Sequence, residues 1–226
     1  MARGLVLVLF GILLWTFDAL GQEMRIPTRI TVGWLFSDLS ELNAALRTRG
    51  YPELQENFFI WGGEGFIIPP GVMGAWSLRL SSWQGSVVAK RDDKLSRFVL
   101  SGSAGTLEYL LSKALPARLE VWASLRLGIG VAALTVLDHR PTSFDEALQS
   151  PASASLGRWF LLLGPGISAS LPIFKFPGAS SVAVALRFSV GYMLTFDNGA
   201  WDQEGRALKG PPDNFNGWIV LLALEI

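Results

Sequence analysis

The sequence predicts an all-β protein: an antiparallel, up-and-down transmembrane β-barrel of about eight strands, with ten as the alternative. Long segments alternate large apolar residues with small or polar ones, and the links between them alternate between long and short. Half of the 226 residues are hydrophobic, whereas 17% are charged. Strict alternation is typical of strands, whose side chains point to opposite faces with a period of two. The clearest such segment, residues 181–196, is much longer than an ordinary strand of about 5 to 6 residues.

The first 21 residues are interpreted as a secretory signal peptide. Arg3 precedes the apolar run Leu5–Trp15, and Ala-Leu-Gly at 19–21 forms a small-x-small cleavage site. This run is too short for a spanning helix, which needs about 20 apolar residues. We therefore expect export and a single barrel domain over residues 22–226.

Composition excludes several classes of function. The 19 basic and 19 acidic residues balance, and cysteine is absent. Neutrality argues against a nucleic-acid partner, which would favour a basic surface. The lack of cysteine excludes a disulfide framework and a thiolate metal site. The acidic loop at 197–214 lacks the ligand spacing of an EF-hand, so we expect no calcium site there. We also expect no other metal and no cofactor.

Eight strand candidates follow the signal peptide. They span about residues 28–36, 57–68, 73–83, 95–111, 119–137, 156–174, 182–196 and 215–226. Long outer loops are expected at 37–56, 84–94, 138–155 and 197–214, and short periplasmic turns at 69–71, 113–118 and 175–178. This arrangement, with both termini inside, is typical of outer-membrane barrels.

A short helix is predicted in the first outer loop. Ser40 is a candidate N-cap, and the following residues up to Arg49 include good helix formers. We expect this helix to cover the mouth of the barrel, with contact to a partner as the alternative.

The arginines indicate which face meets lipid. Arg79, Arg126 and Arg187 lie near the middle of their strands, where an arginine facing lipid costs about 2 to 4 kcal/mol. They should therefore point inward, where eight strands leave just enough room for side chains and buried charges need partners. The predicted interior charge network consists of Arg29, Glu64, Arg79, Glu108, Glu120, Arg126, Arg187 and Glu225.

Register counting predicts two contacts within this network. Closure of the barrel brings the last strand beside the first and places Glu225 next to Arg29. The hairpin across the 69–71 turn brings Glu64 within reach of Arg79.

The C-terminal strand resembles that of a known family. Its large apolar residues alternate to the end of the chain: Trp218, Val220, Leu222, Leu224 and Ile226. The pattern is similar to the terminal signal of small outer-membrane barrels of the eight-stranded type shared by the OmpA membrane domain, with Ile226 where the family usually has Phe or Trp. The resemblance implies location in the bacterial outer membrane, contact with its lipid, and assembly by the barrel-assembly machinery through the C-terminal strand. It implies no particular activity.

The sequence favours a monomeric barrel with a plugged polar interior and a structural or surface-contact role, such as adhesion. A lipid-modifying enzyme, similar to lipid A deacylases or acyltransferases, is the main alternative. His139, the one histidine, follows Asp138 and could act as a general base with Ser143 as nucleophile. The His-x-Ser pattern of the deacylases and a Gly-x-Ser-x-Gly elbow are both absent. Whether the protein is an enzyme stays open.

Two further alternatives concern the lumen. A small-solute pore is disfavoured because eight strands leave little open space. A secreted lipocalin-like binder would need its large apolar face inside and its charges outside, which the arginine positions disfavour.

Overall fold

The computed structural model describes residues 28–114, 119–138, 153–175, 183–196, 200–203, 206–210 and 215–225. Residues 1–21, the predicted signal peptide, lie outside them, so this segment stays a prediction. Within the described ranges, no helix is both long enough and apolar enough to cross a membrane.

The described part of the chain contains ten strands and one helix. The eight long strands are β1 (Thr28–Ser37), β2 (Asn57–Met73), β3 (Trp76–Arg91), β4 (Lys94–Ala114), β5 (Leu119–Leu137), β6 (Ser153–Lys175), β7 (Ala183–Phe196) and β10 (Gly217–Glu225). The short strands are β8 (Ala200–Gln203) and β9 (Arg206–Lys209). Helix α1 (Ser40–Thr48) lies between β1 and β2, as the sequence predicts.

The eight long strands close into an antiparallel barrel. Neighbours run in the order β5-β4-β3-β2-β1-β10-β7-β6, and pairing of β5 with β6 completes the circle. The first and last strands pair from Arg29–Glu225 to Ser37–Gly217. Strands β8 and β9 form a hairpin that joins β6 at Gly157–Asp202 and does not widen the barrel. The prediction of eight strands is confirmed, and closure leaves no free barrel edge.

The prediction of a second outer loop at 84–94 is wrong. β3 continues to Arg91 and β4 begins at Lys94, so the connection consists of Asp92 and Asp93. Asp92 has φ 52°, the left-handed conformation that tight two-residue hairpins require. The charges that suggested a loop belong to strands that extend beyond the apolar belt, where charged side chains remain hydrated.

The predicted Pro-Pro-Gly turn at 69–71 lies instead within β2. That strand runs on to Met73, and the pairing register with β3 shifts on either side of Ile68. Irregular pairing of this kind accommodates proline, which has no N–H to donate. The connection to β3 is made at Gly74, which has φ 65°.

The two faces of the barrel differ sharply. Outward side chains form an apolar belt that includes Ile30, Leu127 and Ile167. Inside, Arg79 and Arg187 are each 2% exposed. The interior has two layers: a charged inner layer near the first and last described residues, Thr28 and Glu225, and an apolar outer layer on the side of α1. The apolar layer includes Leu35, Phe58, Ile60, Phe98, Leu100, Phe160, Leu162, Trp201 and Phe215.

Helix α1 covers the outer mouth of the barrel. Leu42 and Leu46 are buried in the apolar layer. The buried side chain of Asn43 donates to the carbonyl of Leu54 at 2.9 Å and accepts from its N–H at 2.8 Å. These two hydrogen bonds fix the chain that leads from α1 back to β2.

Asn43→Ala should loosen this cover. The substitution leaves a buried N–H and a buried C=O at Leu54 without partners, at a cost of about 1 to 3 kcal/mol. Limited proteolysis within residues 40–56 should therefore become faster by about one to two powers of ten. Ala44→Ser, on the exposed side of the same helix, is the control. Equal cleavage rates in the two variants would contradict the tether.

Candidate functional site

The charged inner layer begins at Arg29 on β1. Its Nη2 lies 2.6 Å from Oε2 of Glu225 on β10, and its Nη1 lies 3.3 Å from Oε2 of Glu64 on β2. Arg29 therefore links both neighbouring strands at the seam of the barrel.

A second group of ion pairs crosses the lumen. Arg79 Nε lies 2.5 Å from Glu108 Oε2, and Arg79 Nη1 lies 3.7 Å from Glu225 Oε1. Arg187 contacts both carboxylate oxygens of Glu108, with Nη1 3.3 Å from Oε2. Ser77 donates to Glu108 at 3.2 Å. The ion pairs thus connect β2, β1, β10, β3, β4 and β7 without a break.

The network contains three arginines and three glutamates, so its charges cancel. Aromatic rings cover the guanidinium groups: the Phe66 ring centroid lies 3.7 Å from Cζ of Arg79 and 5.4 Å from Cζ of Arg29. The Trp122 ring centroid lies 5.8 Å from Cζ of Arg187. Such cation–π contacts stabilise cations that have lost water. The arrangement provides buried charges that are paired with one another within the lumen.

The structure brings together six of the eight predicted network residues. Glu120 and Arg126 lie outside this chain of ion pairs. Arg126 instead lines a small cavity of about 20 Å³, together with Thr31 and Glu64. A space of this size holds about one water molecule.

The predicted contact between Glu64 and Arg79 does not form. Glu64 pairs in register with Ser81, whereas Arg79 pairs with Phe66. The carboxylate of Glu64 is therefore taken by Arg29 on the other neighbouring strand.

Arg158 is a buried charge that the predicted network lacks. It is 3% exposed, and its Cζ lies 5.7 Å from the Trp201 ring centroid and 5.6 Å from that of Phe215. Its burial could have been predicted from the sequence, because Arg158 precedes outward-facing Trp159 and therefore lies on the interior face of β6. Its aromatic neighbours come from β8 and the segment before β10, whose approach cannot be read from the pattern of β6.

The outer mouth carries its own charged contacts. Asp38 accepts a hydrogen bond from the Ser40 N–H at 3.0 Å, and its hydrogen bonds with Ser40 lower the pKa of this carboxyl. Arg47 binds Glu53 with two hydrogen bonds of 2.8 and 2.9 Å. This contact lowers the pKa of Glu53 and raises that of Arg47.

The enzymatic candidates cannot be placed. His139, Ser143 and nine of the 18 residues of the acidic loop at 197–214 lie outside the described residues. Within the described ranges, no three His, Asp or Glu side chains are grouped so that they could hold a metal ion.

The closed eight-stranded barrel, with its apolar outer face and charged interior, has the fold of the small outer-membrane β-barrels. Among solved structures, Ail, the attachment invasion locus protein of Yersinia pestis, is similar, with a TM-score of 0.51. The match covers 89% of this chain and 99% of that chain at 14% sequence identity, so it concerns the fold alone. No protein-family model and no curated protein sequence matches the chain.

Glu108→Gln should destabilise the barrel strongly. It removes the charge that two buried arginines share, and breaking a buried ion pair costs about 3 to 5 kcal/mol. Urea unfolding in lipid vesicles, followed by tryptophan fluorescence, measures the change. Adding Arg187→Met should cost less than the sum of the single effects, because the two groups interact directly. Glu53→Gln on the exposed pair should lower the free energy of unfolding far less, and an equal loss there would contradict a special role for the network.

Acidification should loosen the cover formed by α1. Asp38 and Glu53 have lowered pKa values in the fold, so their contribution is complete above their ordinary values of 3.8 and 4.5. This stabilisation is lost as the pH falls below these ordinary pKa values and through the lower pKa values of the folded protein. Hydrogen exchange of residues 40–54, corrected for its intrinsic rate, should accelerate below about pH 4. The double variant Asp38→Asn, Glu53→Gln should lose this pH step, and an unchanged step would refute the assignment.

Proposed function

We propose that the protein is an outer-membrane barrel that is closed to solutes and makes surface contacts through its outer end. The observation that carries this proposal is the filling of the lumen by two complementary layers. Paired charges occupy the inner half, and packed apolar side chains occupy the outer half beneath α1.

The outer face supports a location in lipid. Large apolar side chains are exposed on every barrel strand, and Trp34, Trp159 and Trp218 lie toward the outer ends of theirs. Exposed aromatic side chains at such positions are typical of the girdles of outer-membrane barrels. On β10, Trp218, Leu222 and Leu224 face outward, which suits recognition of this strand by the barrel-assembly machinery.

The apolar layer argues against a pore. Phe215 lies at its centre, with ring centroids 5.4 Å from Phe98 and 5.8 Å from Phe160. An ion crossing this layer would lose its hydration without gaining polar partners, which is costly. The same packing leaves no room for the apolar ligand of a lipocalin-like binder.

The contact role rests on what the outer end presents. Helix α1, the β3–β4 turn and the β8–β9 hairpin lie there, with exposed Arg49, Arg91 and Arg206. Ail is named as an attachment invasion locus protein. As part of the proposal, we infer that this protein also mediates attachment and that its partner is the surface of another cell.

To test the proposal, the protein is expressed in the outer membrane of a heterologous Gram-negative host. We expect a band whose gel migration changes on boiling, no gain in uptake of a small hydrophilic dye, and increased adhesion to cultured epithelial cells. Arg49→Glu, Arg91→Glu and Arg206→Glu together should reduce adhesion several-fold and leave the band intact. Val72→Glu, at the inner turn, is the control.

Each readout tests a separate part of the proposal. Dye uptake or stepwise conductance in planar bilayers would contradict the closed lumen. Adhesion no greater than that of the empty host would contradict the contact role. Recovery in the soluble fraction without a heat-dependent shift would contradict the membrane location.

A further inference from the structure

The apolar belt is interrupted on one side of the barrel. On β3 and β4 the outward positions at mid-height carry small hydroxyl side chains and a carboxamide where β5, β7 and β10 carry Leu, Ile, Val or Phe. We call these residues the polar patch: Ser82, Gln84, Ser86, Ser101 and Ser103.

The polar patch lies within the belt rather than at its margin. Ser103 pairs in register with Ile129 on β5, which is 54% exposed. On the other side, β2 places Trp61, which is 54% exposed, in register with Gln84. Along the strands, exposed Val88 lies above the patch and exposed Leu80 below it. Apolar side chains therefore surround the patch on all four sides.

The patch has unmet hydrogen-bonding capacity. None of its five side chains makes a hydrogen bond to another of the described residues. A hydroxyl that faces hydrocarbon can be satisfied by its own strand, but the Gln84 carboxamide has two N–H donors and an oxygen acceptor. Leaving such groups unpaired in lipid costs several kcal/mol. A neighbour that offers polar groups at the same depth would remove this cost.

Two glycines beside the patch point to close approach from outside. A Cβ at Gly63 would lie no closer than 3.5 Å to another atom, and one at Gly105 no closer than 3.9 Å. By contrast, a Cβ at Gly62 or Gly128 would lie 2.0 to 2.1 Å from backbone oxygens. The barrel itself therefore does not require glycine at 63 or 105. Glycine on an outward face lets another backbone approach closely.

We propose that the polar patch is an interface with a second copy of this chain in the membrane. Two copies related by a two-fold axis along the membrane normal bring each patch residue to the depth of its own counterpart. The patch is uncharged and carries both donors and acceptors, so it complements itself without repulsion. Small and hydroxyl-bearing side chains are also those that favour close packing between membrane-embedded segments. This dimer replaces the monomer expected from the sequence.

Lipid alone does not satisfy the patch, because acyl chains offer no hydrogen-bonding groups at this depth. The proposal rests on the membrane location proposed above, and the experiment separates the two. The heat-dependent gel shift reports on the barrel in its membrane, and cross-linking reports on its association.

The absence of cysteine from the sequence allows a direct test. Ser103→Cys is introduced into the full chain in outer membranes, which are treated with a short bismaleimide cross-linker. We expect a band at twice the mass of the chain. Phe188→Cys is the matched control, because Phe188 is outward-facing on β7, on the opposite side of the barrel from β3. It should give no such band.

A second variant excludes chance collision. Ser82→Leu and Gln84→Leu, added to Ser103→Cys, restore an apolar belt and should lower the cross-linked fraction at least several-fold while the heat-dependent shift persists. No dimer at Ser103, equal dimer at Phe188, or insensitivity to the leucines would overturn the proposal. A cross-linked band of another mass would assign the patch to a different protein. Loss of the gel shift in Ser103→Cys and the unmutated chain alike would instead refute the membrane location.

Discussion

Closure between β1 and β10 is the constraint on which the rest of the structure depends. A sheet in lipid has no water to bond its edge N–H and C=O groups, so every strand must pair on both sides. Arg29 lies at this seam and contacts carboxylates on both neighbouring strands. From there the ion pairs cross the lumen through Glu225 and Glu108 to β3, β4 and β7. The same side chains that fill the interior therefore also hold distant strands in one register.

The two interior layers reinforce each other. The apolar layer limits access of water from the outer end, so the ion pairs beneath it act at a lower dielectric and are stronger than surface pairs. Removing one partner is correspondingly costly, because no water replaces it. The apolar layer in turn depends on α1 and on Trp201 from the β8–β9 hairpin, which cover its outer side. Connections that look like surface loops in the sequence are thus part of the core.

Period-two patterning made the fold predictable, because in residues 124–131 of β5 and 184–192 of β7 small or polar residues face inward and large apolar ones outward. Single charged residues and prolines are poor indicators of strand ends in a tall barrel. The charged segment 84–94 predicts a loop and the Pro-Pro-Gly sequence 69–71 a turn, although β3 continues to Arg91 and β2 to Met73. Partners within the charge network were harder still. Glu64 pairs with Arg29 rather than with Arg79 because of the strand register. Helix α1 was predictable from its run of helix formers, but Ser40 as its N-cap was wrong: the cap is Leu39, which makes no side-chain cap hydrogen bond, and Ser40 is the first helical residue.

The polar patch departs from this patterning for a physical reason. In β3, Ser81 faces the lumen and Ser82 faces lipid, so adjacent serines remove the contrast from which the two faces are identified. Arg79 and Trp83 on the inner face orient β3, together with its pairing with β2 and β4 and with exposed Leu80 and Val88 at either end of the serine segment. The middle of this outer face carries no large apolar side chain, so it is available for an interaction other than contact with acyl chains. A barrel whose outer surface at mid-height is apolar on β5 and β7 but polar on β3 and β4 has a direction in the plane of the sheet, and directional association requires this asymmetry.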